Sequence, residues 1–81
     1  MKQITIYDLL PILKKGWVAM DRDGTWWWSK YKLICRTTFG EWASEYMANT
    51  FYYESLYPFN IAPYQGDWKD SLIKVEHKEE E

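Results

Sequence analysis

Few residues of this sequence have the types and spacing that catalysis or metal binding requires. The 81 residues include one cysteine, Cys35, and one histidine, His77, so a Cys/His zinc cluster cannot form. The four glycines are widely scattered, which excludes a glycine loop that cradles phosphate. We expect Cys35 to be a small buried hydrophobe and His77 an exposed imidazole without a function. The remaining candidates for chemistry are Asp21 and Asp23, which follow an apolar run.

The segment from Val18 to Thr25 reads V-A-M-D-R-D-G-T and resembles the first motif of the haloacid-dehalogenase phosphatases. The resemblance implies a nucleophilic Asp21 and an acid/base Asp23 in a magnesium-dependent phosphatase. That family uses a doubly wound parallel sheet, for which this chain is too short, and three tryptophans follow where a loop should lead to a helix. An Asp-Gly pair is also a strong signal for a hairpin turn. We therefore predict a turn, no metal, no cofactor and no enzymatic activity, with the phosphatase as a further alternative.

One strand of the predicted hairpin interleaves aromatic and basic side chains. Period-2 alternation places Trp26, Trp28, Lys30 and Lys32 on one face of this strand. Because tryptophan stacks on bases and lysine meets phosphates, this face indicates a single-stranded nucleic-acid-binding protein as an alternative function. The formal net charge of −2, from ten basic and twelve acidic residues, argues against that alternative.

Aromatic residues are more numerous than one small core needs. Phe, Trp and Tyr make up 20% of the chain, with six Trp and seven Tyr. Trp and Tyr are also enriched at the energetic centres of protein interfaces. We therefore predict a partner-binding surface formed by an exposed subset of these rings with two lysines, namely Trp26, Trp28, Lys30, Lys32, Trp42, Tyr46, Tyr52 and Tyr53. An unpaired sheet edge would also allow a homodimer.

Capping signals and periodicity predict the first elements. Thr5 and Asp8 stand at capping-box spacing, so a helix should begin at about residue 6. Inside such a helix Pro11 removes one main-chain hydrogen bond, which predicts a kink or a late start near Asp8. The turn at Asp21 to Gly24 should then join two antiparallel strands in a β-hairpin over residues 17–31.

The second half of the chain gives weaker signals. Residues 39–49 are ambiguous between a short helix and a loop, and residues 51–56 favour a further strand. Asp67 can cap a short C-terminal helix. These elements predict an α+β fold in which the N-terminal helix packs on a small antiparallel sheet. We expect one domain over residues 1–75 and an acidic disordered tail over residues 76–81.

The amino-acid composition also predicts the cellular compartment of the protein. A single cysteine suits a reducing cytoplasm, and no apolar run approaches the roughly 20 residues that a membrane-spanning helix needs. We therefore expect a cytoplasmic protein that makes no membrane contact.

Five short motifs mark the two ends of the sequence, namely I-Y-D-L-L-P from Ile6, L-K-K-G-W-V-A from Leu13, the D-x-x-G-x-W that follows, F-N-I-A-P from Phe59 and D-W-K-D-S-L from Asp67. With these motifs the two ends resemble small open reading frames of phages and prophages. The resemblance implies a context and no site residues, because this group of sequences carries no assigned activity. Small phage proteins often bind and block host machinery, including anti-CRISPR and other anti-defence roles. We therefore expect a phage-type protein-binding module that inhibits or modulates a host bacterial protein.

Overall fold

Antiparallel strands dominate the structure, a computed structural model that describes residues 3–44, 53–56 and 59–76. The elements are, in chain order, α1 (Ile6–Leu9), a first 3₁₀ turn (Leu10–Ile12), β1 (Gly16–Met20), β2 (Trp26–Ser29), β3 (Leu33–Arg36), β4 (Glu41–Ser44), β5 (Tyr53–Ser55), a second 3₁₀ turn (Trp68–Asp70) and β6 (Ile73–Val75). One sheet has the strand order β5-β2-β1-β6, and β3 and β4 form a second sheet. The predicted α+β class, with a short N-terminal helix and antiparallel sheets, is confirmed. In the described ranges, no helix has the length and apolar character needed to cross a membrane.

The N-terminal helix begins where the capping signal places it. The Asp8 carboxylate accepts hydrogen bonds from the Thr5 main-chain N–H at 2.9 Å and from the Thr5 hydroxyl at 3.2 Å. The α-helical segment ends at Leu9 and continues as the 3₁₀ turn that contains Pro11. Proline has no N–H to donate to the preceding turn, which accounts for this early end.

Strand β1 occupies the centre of the larger sheet and buries both of its faces. It pairs with β2 on one side and β6 on the other, so that Val18 lies between Trp28 and Ile73. Period-2 alternation sends Val18 and Met20 to one face and Trp17 and Ala19 to the other. The predicted hairpin is thus present, with its strands at Gly16–Met20 and Trp26–Ser29.

Two hydrophobic cores lie on opposite faces of this sheet. The first core packs α1 against the sheet and contains Ile6, Leu9, Val18, Met20, Trp26, Trp28, Leu56 and Val75. The second core packs the β3–β4 hairpin against the other face and contains Ala19, Leu33 and Trp42, with Trp17, Cys35, Trp68 and Leu72 partly buried around it. The described chain therefore forms three layers, namely helix, four-stranded sheet and two-stranded hairpin.

The C-terminal part differs from the sequence prediction. The expected short helix is only the 3₁₀ turn Trp68–Asp70, although Asp67 does cap it by accepting from the Lys69 N–H at 3.0 Å. Residues Ile73–Val75 form β6, a strand that no signal in the sequence predicted. Within the ambiguous range 39–49, residues 41–44 form β4 and residues 45–49 lie outside the described residues. The predicted acidic tail also lies outside them, apart from the exposed Glu76.

Ser71 joins the C-terminal segment to the central strand. Its fully buried hydroxyl accepts a hydrogen bond from the Met20 N–H at 2.8 Å and lies 2.7 Å from the Trp68 carbonyl oxygen. The pairing between β6 and β1 ends at Ile73 and Val18. Further along β1, the Ser71 hydroxyl therefore takes the place of a strand partner and accepts the hydrogen bond of the Met20 N–H.

We expect Ser71→Ala to lower the free energy of unfolding by about 1–3 kcal/mol, because it leaves the buried Met20 N–H without an acceptor. Urea denaturation measures this loss. The control is Thr38→Ala at an exposed turn position, which should change the free energy by less than about 0.5 kcal/mol. Equal stability of the two variants would contradict the assigned role.

Candidate functional site

Trp26 and Trp28 are core residues. Their exposed fractions are 3% and 8%, and their indole N–H groups donate to the main-chain carbonyls of Ala62 at 3.2 Å and Lys14 at 2.9 Å. A buried indole cannot stack on a base. The nucleic-acid platform predicted from the strand pattern is therefore corrected at these two positions.

Trp42 is also interior, and the predicted tyrosines lie mostly outside the described residues. Trp42 is 5% exposed on the inner face of β4, where its indole N–H donates to the Trp68 carbonyl oxygen at 3.2 Å. Trp42 is therefore not available as a docking ring. Tyr46 and Tyr52 fall outside the described residues, and for Tyr53 only the main chain in β5 is described. The partner-binding prediction for these three tyrosines stays a prediction.

Lys30 and Lys32 are exposed, and they lie beyond the end of β2 rather than on its continued face. The Lys32 ammonium lies 5.8 Å from the ring centroid of Trp17, and the Lys74 ammonium lies 5.6 Å from the same centroid. The Lys30 ammonium lies 5.9 Å from the centroid of Tyr31. We call these five residues the Trp17 cluster, in which Lys30 and Tyr31 precede Lys32 in the loop that follows β2. The sequence pattern does not reveal this cluster, because Lys74 reaches Trp17 as its cross-strand partner from β6.

The outer face of the β3–β4 hairpin carries exposed apolar side chains. Ile34 is 42% exposed on this face, and Phe39 in the connecting turn is 64% exposed. The Arg36 guanidinium lies 4.4 Å from the Phe39 ring centroid and forms a 3.6 Å ion pair with Glu41, its cross-strand partner. We call Ile34, Arg36, Phe39 and Glu41 the hairpin surface.

The two aspartates that suggested phosphatase chemistry hold the main chain together. The Asp23 carboxylate accepts from the Thr25 N–H at 2.9 Å within the turn, and the Asp21 carboxylate accepts from the Trp42 N–H at 2.8 Å. Asp21 thereby ties the β1–β2 turn to β4. In the part of the chain that the structure describes, no group of three or more Asp, Glu, Cys or His side chains is arranged to hold a metal ion.

The surroundings of Asp21 raise the pKa of its carboxyl group. Burial raises the pKa of its carboxyl above the ordinary value, and the charges of Asp23 and Glu41 act in the same direction. The hydrogen bond from the Trp42 main-chain N–H and the nearby Trp27 indole oppose this rise of the pKa by favouring the carboxylate, and their combined effect is the smaller one.

Arg22 joins the two hairpin turns. Its main-chain N–H donates to the Gly40 carbonyl at 3.0 Å, and its guanidinium donates to the Thr37 carbonyl at 2.8 Å and lies 5.7 Å from the Trp68 ring centroid. A shallow depression of about 440 Å³ lies at this junction, lined by Asp21, Arg22, Asp23, Phe39, Gly40 and Glu41. Its one positively charged lining residue already binds main-chain carbonyls.

Cys35 lies on the inner side of β3, where it is partly buried against the second core. Burial raises the pKa of its thiol, so the protonated, unreactive form prevails at neutral pH. This environment suits a packing residue.

No protein-family model, curated protein or solved structure matches this chain. The resemblance of its two ends to phage open reading frames stays a prediction. The Trp17 cluster and the hairpin surface are therefore the candidate binding sites.

Replacing Asp21 by asparagine should change how stability depends on pH. Because the folded-state pKa of Asp21 is raised, ionisation opposes folding, so its favourable contribution is complete below the unfolded-state pKa and is lost as pH rises through the folded-state pKa. The free energy of unfolding of the wild type minus that of Asp21→Asn should therefore fall between pH 4 and pH 7. Denaturation at several pH values measures it, and a constant or rising difference would refute the assignment.

Gly40→Ala should destabilise the protein more than Gly24→Ala. Both glycines have positive φ, +68° and +93°, which costs alanine about 1–2 kcal/mol. An added Cβ at Gly40 would also lie 2.9 Å from the Arg22 guanidinium carbon, which can move away only by giving up its hydrogen bond to the Thr37 carbonyl, whereas Gly24 has open space around it. In an Arg22→Ala background the excess loss at Gly40 should disappear. An excess that persists there would mean that Arg22 is not its source.

Proposed function

We propose that the protein is a phage-type protein-binding module that inhibits or modulates a host bacterial protein in the host cytoplasm, and that the partner docks on the hairpin surface. The observation that carries this proposal is the exposure of Ile34 and Phe39, at 42% and 64%, on the outermost layer of the fold. All three tryptophans that first suggested a docking role, Trp26, Trp28 and Trp42, are buried, so we assign the docking role to Ile34 and Phe39.

The hairpin surface has the composition of an interface centre. Aromatic residues and arginine are enriched at positions that dominate binding energy. Arg36 is already held between the Phe39 ring and the Glu41 carboxylate, so fewer rotamers are lost when a partner covers it. An apolar partner group could rest on Ile34 and Phe39, while a partner carboxylate could reach the guanidinium.

The sheet edge offers a second source of affinity. Among the described residues β3 pairs with β4 alone, so its other edge presents main-chain groups that a partner strand could use. A second copy of this chain could use the same edge, which would give the homodimer considered above. The segment after β4, with Tyr46 and Tyr52, stays part of the proposed surface on the strength of its sequence alone.

The resemblance of the two chain ends to phage open reading frames supports a host bacterial protein as the partner. Blocking a host defence enzyme, in the manner of anti-CRISPR proteins, is the role that this context favours.

Affinity capture from lysate of a bacterial host tests the proposal with three forms of the protein. The wild type should retain a specific host protein, and Ile34→Thr/Phe39→Ser should reduce its recovery at least tenfold, because the apolar contact is lost. The matched control is Tyr7→Ser/Ile12→Thr, which removes similarly exposed side chains from the helical layer on the opposite side of the molecule.

The control should retain the partner at the wild-type level, and thermal unfolding should show that both variants are folded. Equal recovery by the two double variants would refute docking at the hairpin surface. Failure of the wild type to retain any specific host protein, together with a concentration-dependent dimer in sedimentation, would assign the surface to self-association instead.

A further inference from the structure

We propose that the Trp17 cluster is a binding site for single-stranded nucleic acid, with lysine ammonium groups meeting phosphates and the rings of Trp17 and Tyr31 meeting bases. This inference is independent of the proposed protein-binding function, because the cluster and the hairpin surface share no residue. It also uses rings other than Trp26 and Trp28, which lie in the core.

The cluster holds its charges in place around a fixed ring. Trp17 is partly buried at the margin of the second core, which restrains its indole. Lys74 approaches the ring from the neighbouring strand and Lys32 from the loop after β2, each with its ammonium less than 6 Å from the centroid. Within the described ranges, neither ammonium lies within ion-pair distance of a carboxylate. Two positive charges that lie over one ring are therefore available to an anionic ligand, and a base that stacks on Trp17 takes the place of the ammonium groups as they turn toward its phosphates.

The charged side chains are unevenly distributed over the sheet, which the net charge of the chain does not show. Five exposed lysines lie at the end of the sheet where β1 begins and β2 ends, namely Lys14, Lys15, Lys30, Lys32 and Lys74. Among the described residues that follow β6, the exposed Glu76 lies at the same end, because its neighbour Val75 pairs with Gly16. The opposite end carries five acidic residues, namely Asp21, Asp23, Glu41, Asp67 and Asp70, together with the basic residues Arg22, Arg36 and Lys69. Arg36 and Lys69 form ion pairs with Glu41 and Asp67. A net charge of −2 is therefore compatible with a locally positive surface that attracts phosphates.

The mixture of rings and lysines favours nucleic acid over an isolated anion. A simple anion site needs positive charge or N–H donors and gains nothing from adjacent aromatic faces. Single-stranded nucleic acid uses both, because its phosphates pair with lysines while its splayed bases stack on rings. Duplex nucleic acid keeps its bases stacked internally and could use the lysines alone.

Fluorescence anisotropy with a labelled single-stranded oligothymidylate at low salt tests the inference. We expect Lys32→Gln and Lys74→Gln each to weaken binding several-fold and to reduce the slope of log affinity against log salt by about 0.7. The matched control is Lys69→Gln, which removes the same charge from an exposed lysine at the acidic end of the sheet. It should bind within about twofold of the wild type, since long-range effects of single surface charges are screened.

Two further probes separate nucleic acid from other anions. Inorganic phosphate, at the same phosphate concentration, should compete far less well than unlabelled oligothymidylate, and a duplex of equal length should bind more weakly than the single strand. Trp17→Leu should weaken oligonucleotide binding by about fivefold or more through lost stacking, with the fold checked by circular dichroism.

Several outcomes would overturn the inference. These are no binding of oligothymidylate at low salt, an equal loss in Lys69→Gln, equal competition by inorganic phosphate, or equal binding of the duplex. Because the hairpin-surface variants leave the Trp17 cluster intact, they should bind the oligonucleotide normally. A failure of this site is thus distinguishable from a failure of the protein-binding proposal.

Discussion

The structure depends on one central strand that is hydrogen-bonded on both sides and buried on both faces. Every second residue of β1 faces the helix, where Val18 packs, and the residues between face the hairpin, where Ala19 is fully buried. A small chain rarely supports two cores, and this one does so by filling them with tryptophan, whose large area offsets the shortness of the chain. A one-residue shift of β1 against its neighbours would exchange the contents of both cores, so the register is strongly determined.

Filling the two cores with large apolar side chains also limits which residues stay on the surface. Trp26, Trp28 and Trp42 are used to fill the two cores, and their indole N–H groups bind main-chain carbonyls inside the protein. The surface keeps smaller groups of exposed side chains at the hairpin surface and around Trp17. The residues of both proposed sites therefore lie at the margins of the cores, and the aromatic content by itself does not identify them.

Asp21, which the sequence alone suggests as a catalytic residue, and its neighbour Arg22 connect the two sheets. The Asp21 carboxylate bonds to the main chain of β4, while Arg22 bonds to two carbonyls of the β3–β4 turn. A partly buried carboxylate is tolerated there because the Trp42 N–H satisfies it, and the cost of burial appears as its raised pKa. Removing either residue would loosen the hairpin that carries the proposed docking surface.

Local signals in the sequence determined the elements that depend on neighbouring residues. The Thr5 and Asp8 spacing predicted the start of α1, and the Asp-Gly turn predicted the β1–β2 hairpin, because capping and turn geometry involve only a few adjacent side chains. Strand β6 escaped prediction because three residues are too short for a periodic signal and are held by pairing with β1, more than fifty positions away. The same long-range pairing brings Lys74 to Trp17, and only tertiary packing decides which tryptophans are buried. Alternation along a strand shows which side chains share a face, whereas the layer that covers that face comes from distant parts of the chain.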